Sequence, residues 1–354
     1  MLFAFQLMRT YKKKRMPAIG TLWVIFFIYM VSSLFVNGMA GFKSAFGYVM
    51  ILLLALSAYT IMNSVGKQDY HQKLLNLYIS FFFLVPVCCI INFFLNMFVP
   101  AFNVFNPFFA NGFYNYQASP FGLAVGKPML GIPLYRSFFY FIEPVYLALF
   151  YLMNIFVIKK YVRRRAGLFY ALNIAGGILI FSYLFFVGVV ILKAAELKGM
   201  YKFILISFLV IVFILFQDLI LGEIFNSSSA DDRLFRIQGA LEFIKGISLS
   251  KALFGVGILA DFGLDRGVSA GLLSTFLENG VVGLLLLLSI IIFFSRGNGI
   301  IITIIILGLL TVEPFKLPFF WITVVLAGHL SRKNLPEAEV LFPHAQAQPQ
   351  PAIE

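Results

Sequence analysis

The feature that most limits what this chain can fold into is the length of its apolar runs. LWVIFFIYMVSSLFV (22–36) and GLLLLLSIIIFF (283–294) carry no charge at all. Comparable stretches recur at 17–36, 43–62, 74–99, 137–158, 168–192, 200–221, 270–294, 299–312 and 317–330. A helix of about 18–20 apolar residues crosses the ~30 Å hydrocarbon core of a bilayer. Inside that core every backbone group must find its partner within the protein, which favours helices. The expected fold is an all-α polytopic membrane protein with roughly 9–10 transmembrane segments, one of them re-entrant. Composition agrees, because 61% of the 354 residues are hydrophobic and only 12% charged, against about half and a quarter in soluble domains. Residues 1–330 read as one integral-membrane domain. The Pro/Gln/Ala-rich stretch 331–354 reads as a disordered cytoplasmic tail.

The net charge of +12 is mostly a topology signal and does not call for nucleic acid. RTYKKKR (9–15), KKYVRRR (159–165), SR (295–296) and SRK (331–333) sit beside apolar runs. Short cation-rich loops of this kind stay in the cytoplasm. Both termini are then cytoplasmic, and 100–136 and 222–269 form two large external loops. Simple parity fails between KKYVRRR and 222–269, because only two spans lie between them. Lys193, Lys198 and Lys202 place the intervening loop on the cytoplasmic side. A bend within 168–192, at Gly176, Gly177 or Gly188, restores the count by making that segment enter and return. On this topology 18 of the 27 Lys and Arg residues face the cytoplasm. Cys88 and Cys89 are adjacent in an apolar stretch, and the three histidines are scattered. Neither a disulfide framework nor a metal site is expected, and no cofactor is called for. RTYKKKR leads into an uncleaved first span.

The chemistry-bearing residues fall in the external loops. Loop 100–136 is rich in Asn, Gly, Pro, Phe and Tyr, a mixture that suits either a sugar-binding groove or an interfacial aromatic belt. It ends at Arg136, and Glu143 follows just before Pro144. In the second loop, DDRLFRIQGALEFIK (231–245) has Ser229 and Asp232 in capping-box spacing. Leu234, Ile237, Leu241 and Ile244 share one helical face, and Arg233 and Arg236 share another. This is the pattern of an amphipathic helix lying on the membrane surface. Two guanidiniums on one face suit a phosphate, since arginine offers a planar fork of donors. Glu242 and Lys245 need be no more than the wet side of that helix. Asp261, Asp265 and Arg266 follow in a glycine-rich stretch, and Glu278 begins the next span. An acid at membrane depth is costly and marks a candidate functional site, as Glu143 and Glu278 do.

Three stretches together resemble the O-antigen polymerase and ligase superfamily of bacterial envelope proteins, Wzy-type polymerases above all. RSFFYFIEPVYLA (136–148) is similar to the family's arginine, Phe, Pro and Ala, here Arg136, Phe141, Pro144 and Ala148. DRLFRIQGALEFIKGISLSKALFGVG (232–257) is similar to its Arg, aromatic, Ala-Leu, Ile and Gly-Val-Gly pattern, with Arg233 in the arginine position and Ile237 replacing the aromatic. LLSTFLENGVVGLLLLL (272–288) is similar to its Glu-x-Gly-x-x-Gly run, as Glu278, Gly280 and Gly283. The resemblance covers roughly 100–294. It departs at Ser269, where ligases of the family typically carry a histidine.

The resemblance implies a glycosyltransferase of the bacterial cytoplasmic membrane. It would polymerise undecaprenyl-diphosphate-linked oligosaccharide repeat units into surface polysaccharide, with membrane lipid and a chain-length regulator protein as further partners. Arg136 and Arg233, helped by Arg236 and Arg266, would hold the diphosphate. With no histidine in either loop, the base would be a carboxylate, with Asp265, Asp261, Asp232 and Glu278 all open as candidates. A ligase-like transferase and a flippase or transporter for lipid-linked glycans are the alternatives. A transporter would show charged residues along mid-membrane spans and repeat symmetry. Here most charge outside the cytoplasmic loops lies in the two external ones.

Overall fold

The structure is a computed structural model. It describes residues 31–38, 53–59, 68–99, 117–129, 132–137, 144–162, 165–201, 238–257, 271–310 and 318–330, with positions 25, 28, 29, 46, 47, 139 and 141. The described chain is mostly helical. The chief helices are α1 (Gln68–Phe98), α2 (Pro144–Tyr161), α3 (Ala166–Leu179), α4 (Tyr183–Glu196), α5 (Leu249–Phe254), α6 (Gly271–Phe294), α7 (Gly299–Leu309) and α8 (Pro318–Leu330). Residues 31–38, 53–59 and 238–246 are also helical. Within α1, Leu77–Phe98 is long and apolar enough to cross a membrane, and so is α6. Two compact units emerge: residues 1–60 with 186–325, and 61–185 with 326–354.

The second unit is organised around a proline inside α1. Pro86 lies inside this helix and has no N–H to give the carbonyl four residues back, that of Phe82. Phe82 is fully buried, so that oxygen would go unbonded in an apolar interior. Asn173 of α3 supplies the missing donor, its Nδ2 reaching the Phe82 carbonyl at 2.9 Å. The same amide also bonds Phe169 O, and its Oδ1 accepts from Asn154 Nδ2 at 3.0 Å. Tyr78 donates to Asn154 Oδ1 at 3.3 Å. One buried chain of amides and a phenol therefore joins α1, α2 and α3. Such interhelical bonds are the polar glue of membrane bundles.

The segment 168–192 was expected to bend, and it does. α3 stops at Leu179, α4 starts at Tyr183, and Phe181 takes a left-handed conformation with φ 47°. The Phe185 ring lies against Gly177. Eight residues of continuous helix would hold those two about 12 Å apart, so the chain turns sharply. Each half has 14 residues, about 21 Å of helix, too short to cross alone.

Loop 100–136 departs from the all-α expectation. Its later part forms a three-stranded antiparallel sheet of β1 (Gln117–Ser119), β2 (Gly122–Met129) and β3 (Ile132–Ser137), in the order β1-β2-β3. Ser119 pairs with Gly122, and Met129 with Ile132. Span 137–158 accordingly begins later than expected, at Pro144, because β3 holds residues up to Ser137. Proline suits the first helical turn, where its missing N–H has no partner to lose. The sheet is fastened to α1 by Asn92, whose Nδ2 donates to Leu123 O and Ser137 Oγ, both at 3.0 Å. Asn92 Oδ1 accepts from Ser119 Oγ at 2.6 Å and Asn96 Nδ2 at 3.0 Å.

The Pro86–Asn173 pairing makes a double-mutant test. Asn173→Leu should destabilise the protein by about 1–3 kcal/mol, because it leaves the Phe82 carbonyl unbonded. Pro86→Ala returns an N–H to the helix, so Pro86→Ala/Asn173→Leu should recover part of that loss. Thermal unfolding of the four proteins in one detergent reads the coupling; strict additivity would rule out the repair.

Candidate functional site

The first unit holds the site. α6 is interrupted: Gly280 has φ 68° and ψ −177° inside an otherwise helical run. The break separates residues 271–279 from 281–294. The carbonyls that would have bonded forward across it need other donors. They find them in the backbone of the Gly-Val-Gly segment 255–257. Val256 N–H donates to Leu277 O at 2.8 Å, and Gly257 N–H to Glu278 O at 3.1 Å.

The two segments meet so closely that side chains are excluded from the contact. Gly255 has φ 77°, and a Cβ there would collide with the Glu278 carbonyl. A Cβ on Gly280 would collide with the Leu253 carbonyl and the Gly255 nitrogen. Both positions thus need glycine twice over, for the positive φ and for the close approach. The approach is prepared by α5, which stops at Gly255, whose N–H bonds Lys251 O at 2.7 Å. Asn37 Nδ2 bonds the Phe254 carbonyl at 3.4 Å.

Glu278 lies at this junction with 8% of its surface exposed, one residue before the buried Asn279. Asn279 is held on two sides. Its Nδ2 donates to Thr275 O at 3.1 Å. Its own backbone carbonyl and Oδ1 accept from Tyr29 Oη at 3.1 and 3.2 Å. Tyr29 also lies against Gly283 and is within electrostatic range of Glu278. A buried carboxylate is thereby fixed at a helix discontinuity. The half-helix 281–294 begins three residues after it, and the positive end of a helix favours a negative charge nearby. Chemically, the arrangement can hold a proton acceptor at a fixed backbone position.

Of the residues singled out by sequence, Glu278 sits at this junction. Arg136 belongs to the other unit, on β3 opposite Val125, and is half-buried. Its neighbour Ser137 is fully buried and bonds Asn92 of α1, so by strand alternation Arg136 points from the opposite face of the sheet. Phe141 packs on Phe150 with ring centroids 6.0 Å apart, and Ala148 is fully buried in α2. Asp232, Arg233, Arg236, Asp261, Asp265 and Arg266 lie outside the described residues, as do Glu143 and Ser229. The described part of the amphipathic helix, 238–246, buries Ala240 and exposes Leu241, Glu242 and Lys245. Among the described residues no group of acids, cysteines and histidines could hold a metal ion. Sequence reasoning missed Tyr29 and Asn37. Each is a single polar residue in or beside an apolar run, and only the fold reveals what it bonds.

The interlock predicts that Gly255→Ala and Gly280→Ala each destabilise the protein by about 3 kcal/mol or more, since each adds backbone strain and a backbone clash. Tyr29→Phe removes one hydroxyl and should cost about 1 kcal/mol. Thermal unfolding in detergent ranks the three; a glycine variant no worse than Tyr29→Phe would count against the interlock. No family model, no characterised protein and no solved structure matches this chain.

Proposed function

We propose that this chain is a polytopic enzyme of the bacterial cytoplasmic membrane that joins undecaprenyl-diphosphate-linked oligosaccharide repeat units into surface polysaccharide. One observation carries the reading. The Gly-Val-Gly of 255–257 and the Glu-Asn-Gly of 278–280, two separate parts of the pattern that resembles the O-antigen polymerases, meet backbone to backbone. That gives the spacing of the pattern a physical reason, and it ties the backbone of the buried Glu278 to Gly257, a few residues before Asp261, Asp265 and Arg266 in the sequence. The sharp turn at Ile180–Ser182 supports a re-entrant 168–192, and with it external positions for 100–136 and 222–269 and cytoplasmic termini.

In the proposed reaction the acceptor's hydroxyl oxygen attacks the anomeric carbon of the donor's reducing-end sugar. The bond from that carbon to the phosphate oxygen breaks, and its electron pair leaves with undecaprenyl diphosphate. The hydroxyl proton passes to a carboxylate, among Asp265, Asp261, Asp232 and Glu278. Arg136 and Arg233, with Arg236 and Arg266, offset the charge on the leaving diphosphate. The activated linkage supplies the driving force, so no nucleotide is consumed.

In cells whose surface polymer can be resolved on a gel, Arg136→Ala or Arg233→Ala should remove long chains while single-repeat product remains. Long chains at normal protein levels would end the diphosphate assignment. Glu278→Gln keeps the shape of the side chain. It should lower polymer yield on the order of 10²-fold or more if this carboxylate is the base, and leave it unchanged if one of the loop aspartates is.

A further inference from the structure

Asn92 of α1 bonds all three strands of the sheet. Its Nδ2 donates to Leu123 O of β2 and to Ser137 Oγ of β3, and its Oδ1 accepts from Ser119 Oγ of β1. A fourth bond, from Asn96 Nδ2, ties the amide to its own helix. A carboxamide offers two N–H donors and an oxygen with two lone pairs, so every capacity of this side chain is used. Asn92 is also fully buried. A buried amide bonded on all sides has one orientation, and it imposes that orientation on its partners.

The ladder between β2 and β3 depends on such a pin. Near the turn that joins them, Pro128 stands opposite Pro133. Proline has no N–H, so neither member of that pair donates to the ladder. The register is therefore held from the other end, where Ala124 faces Ser137. There Leu123 N–H bonds Phe139 O at 2.6 Å, and Leu123 O accepts from Asn92. A slip of one residue in β3 would bring Arg136 to the face that Ser137 now occupies. Asn92 selects against that register. Its N–H needs an acceptor, which the serine hydroxyl provides, whereas a guanidinium carries donors only.

We propose that Asn92, acting through Ser137, is a positioning residue for Arg136: it fixes the face and register from which the guanidinium meets the diphosphate of the lipid-linked glycan. The inference rests on the diphosphate assignment of Arg136. A planar fork of donors binds phosphate well only when correctly oriented, and a misplacement of about 1 Å can cost on the order of 10²-fold in rate. An asparagine inside an apolar helix thus reaches the reaction through one hydroxyl and one peptide link.

The test measures equilibrium binding of undecaprenyl diphosphate to the purified full-length protein in detergent, with thermal unfolding of every variant. Ser119→Ala and Ser137→Ala are matched, since each removes one buried hydroxyl bonded to Asn92, and they should lose similar stability. Ser137→Ala should weaken binding about fivefold, whereas Ser119→Ala should stay within about twofold of the parent. Arg136→Ala should weaken binding about tenfold or more, and Arg136→Ala/Ser137→Ala no further. Asn92→Ala should weaken it at least as much as Ser137→Ala, with no added loss in Asn92→Ala/Ser137→Ala. The serine pair decides the matter even where Asn92→Ala fails to fold. Equal weakening in the two serine variants would overturn the proposal, leaving Asn92 a fastening of the sheet and nothing more. So would a full Ser137→Ala effect in the Arg136→Ala background. If Arg136→Ala weakens binding and Ser137→Ala does not, the positioning role alone fails. If Arg136→Ala binds normally, the diphosphate assignment fails and the positioning role goes with it.

Discussion

A backbone carbonyl buried among apolar side chains must be given a donor, and much of this structure follows from that requirement. Helices meet it automatically until they break. Here two long apolar helices each lose such a bond, α1 at Pro86 inside a continuous helix and α6 at the break at Gly280. In each case the oxygen left over is satisfied by another segment of the same unit: the Asn173 amide for Phe82, and the Val256 and Gly257 amides for Leu277 and Glu278. These are therefore points at which neighbouring segments are tied together. Helices with every bond in place would leave Asn173 and the Gly-Val-Gly segment less to bond at those points.

The two repairs differ in kind, and the difference bears on function. A side-chain amide mends α1, and that region forms a static polar chain through three helices. Backbone mends α6, and the mending segment leads directly into the loop with Asp261, Asp265 and Arg266. Only the second repair joins a segment that continues into a glycine-rich stretch of sequence to the position of a buried acid. Glu278 thus differs in its place in the fold from the asparagines of the other unit. The asparagines stabilise helix contacts, whereas the glutamate lies where a helix has been opened.

Much of the helical framework was legible in the sequence because run length alone specifies it. The stretches 74–99, 270–294 and 317–330 match α1, α6 and α8 to within a few residues, apart from the polar start of α1. The bend in 168–192 was legible through charge bookkeeping, though it falls at Phe181, not at a glycine. The aromatic Phe181 was unreadable as a turn residue because a residue with a bulky Cβ is uncommon in the left-handed region; its ring lies 6.3 Å from that of Phe93. The sheet at 117–137 was missed for a related reason. Its strands are short and contain Gly126, Pro128 and Pro133, residues that weaken any strand signal. What stabilises it is Asn92, far away in sequence. At the candidate site, Glu278 and the two glycine motifs could be picked out singly. Their contact could not, because backbone-to-backbone bonding leaves no trace in residue chemistry beyond the need for glycine.

The interlock also closes a ring. Val256 is bonded to Leu277 and Gly257 to Glu278, so the stretch of chain between them has both ends fixed. The entropic cost of such a loop grows slowly, by about 0.6 kcal/mol for each doubling of length. By that measure a change in the length of this stretch costs the frame little, whereas losing either glycine contact undoes the closure itself.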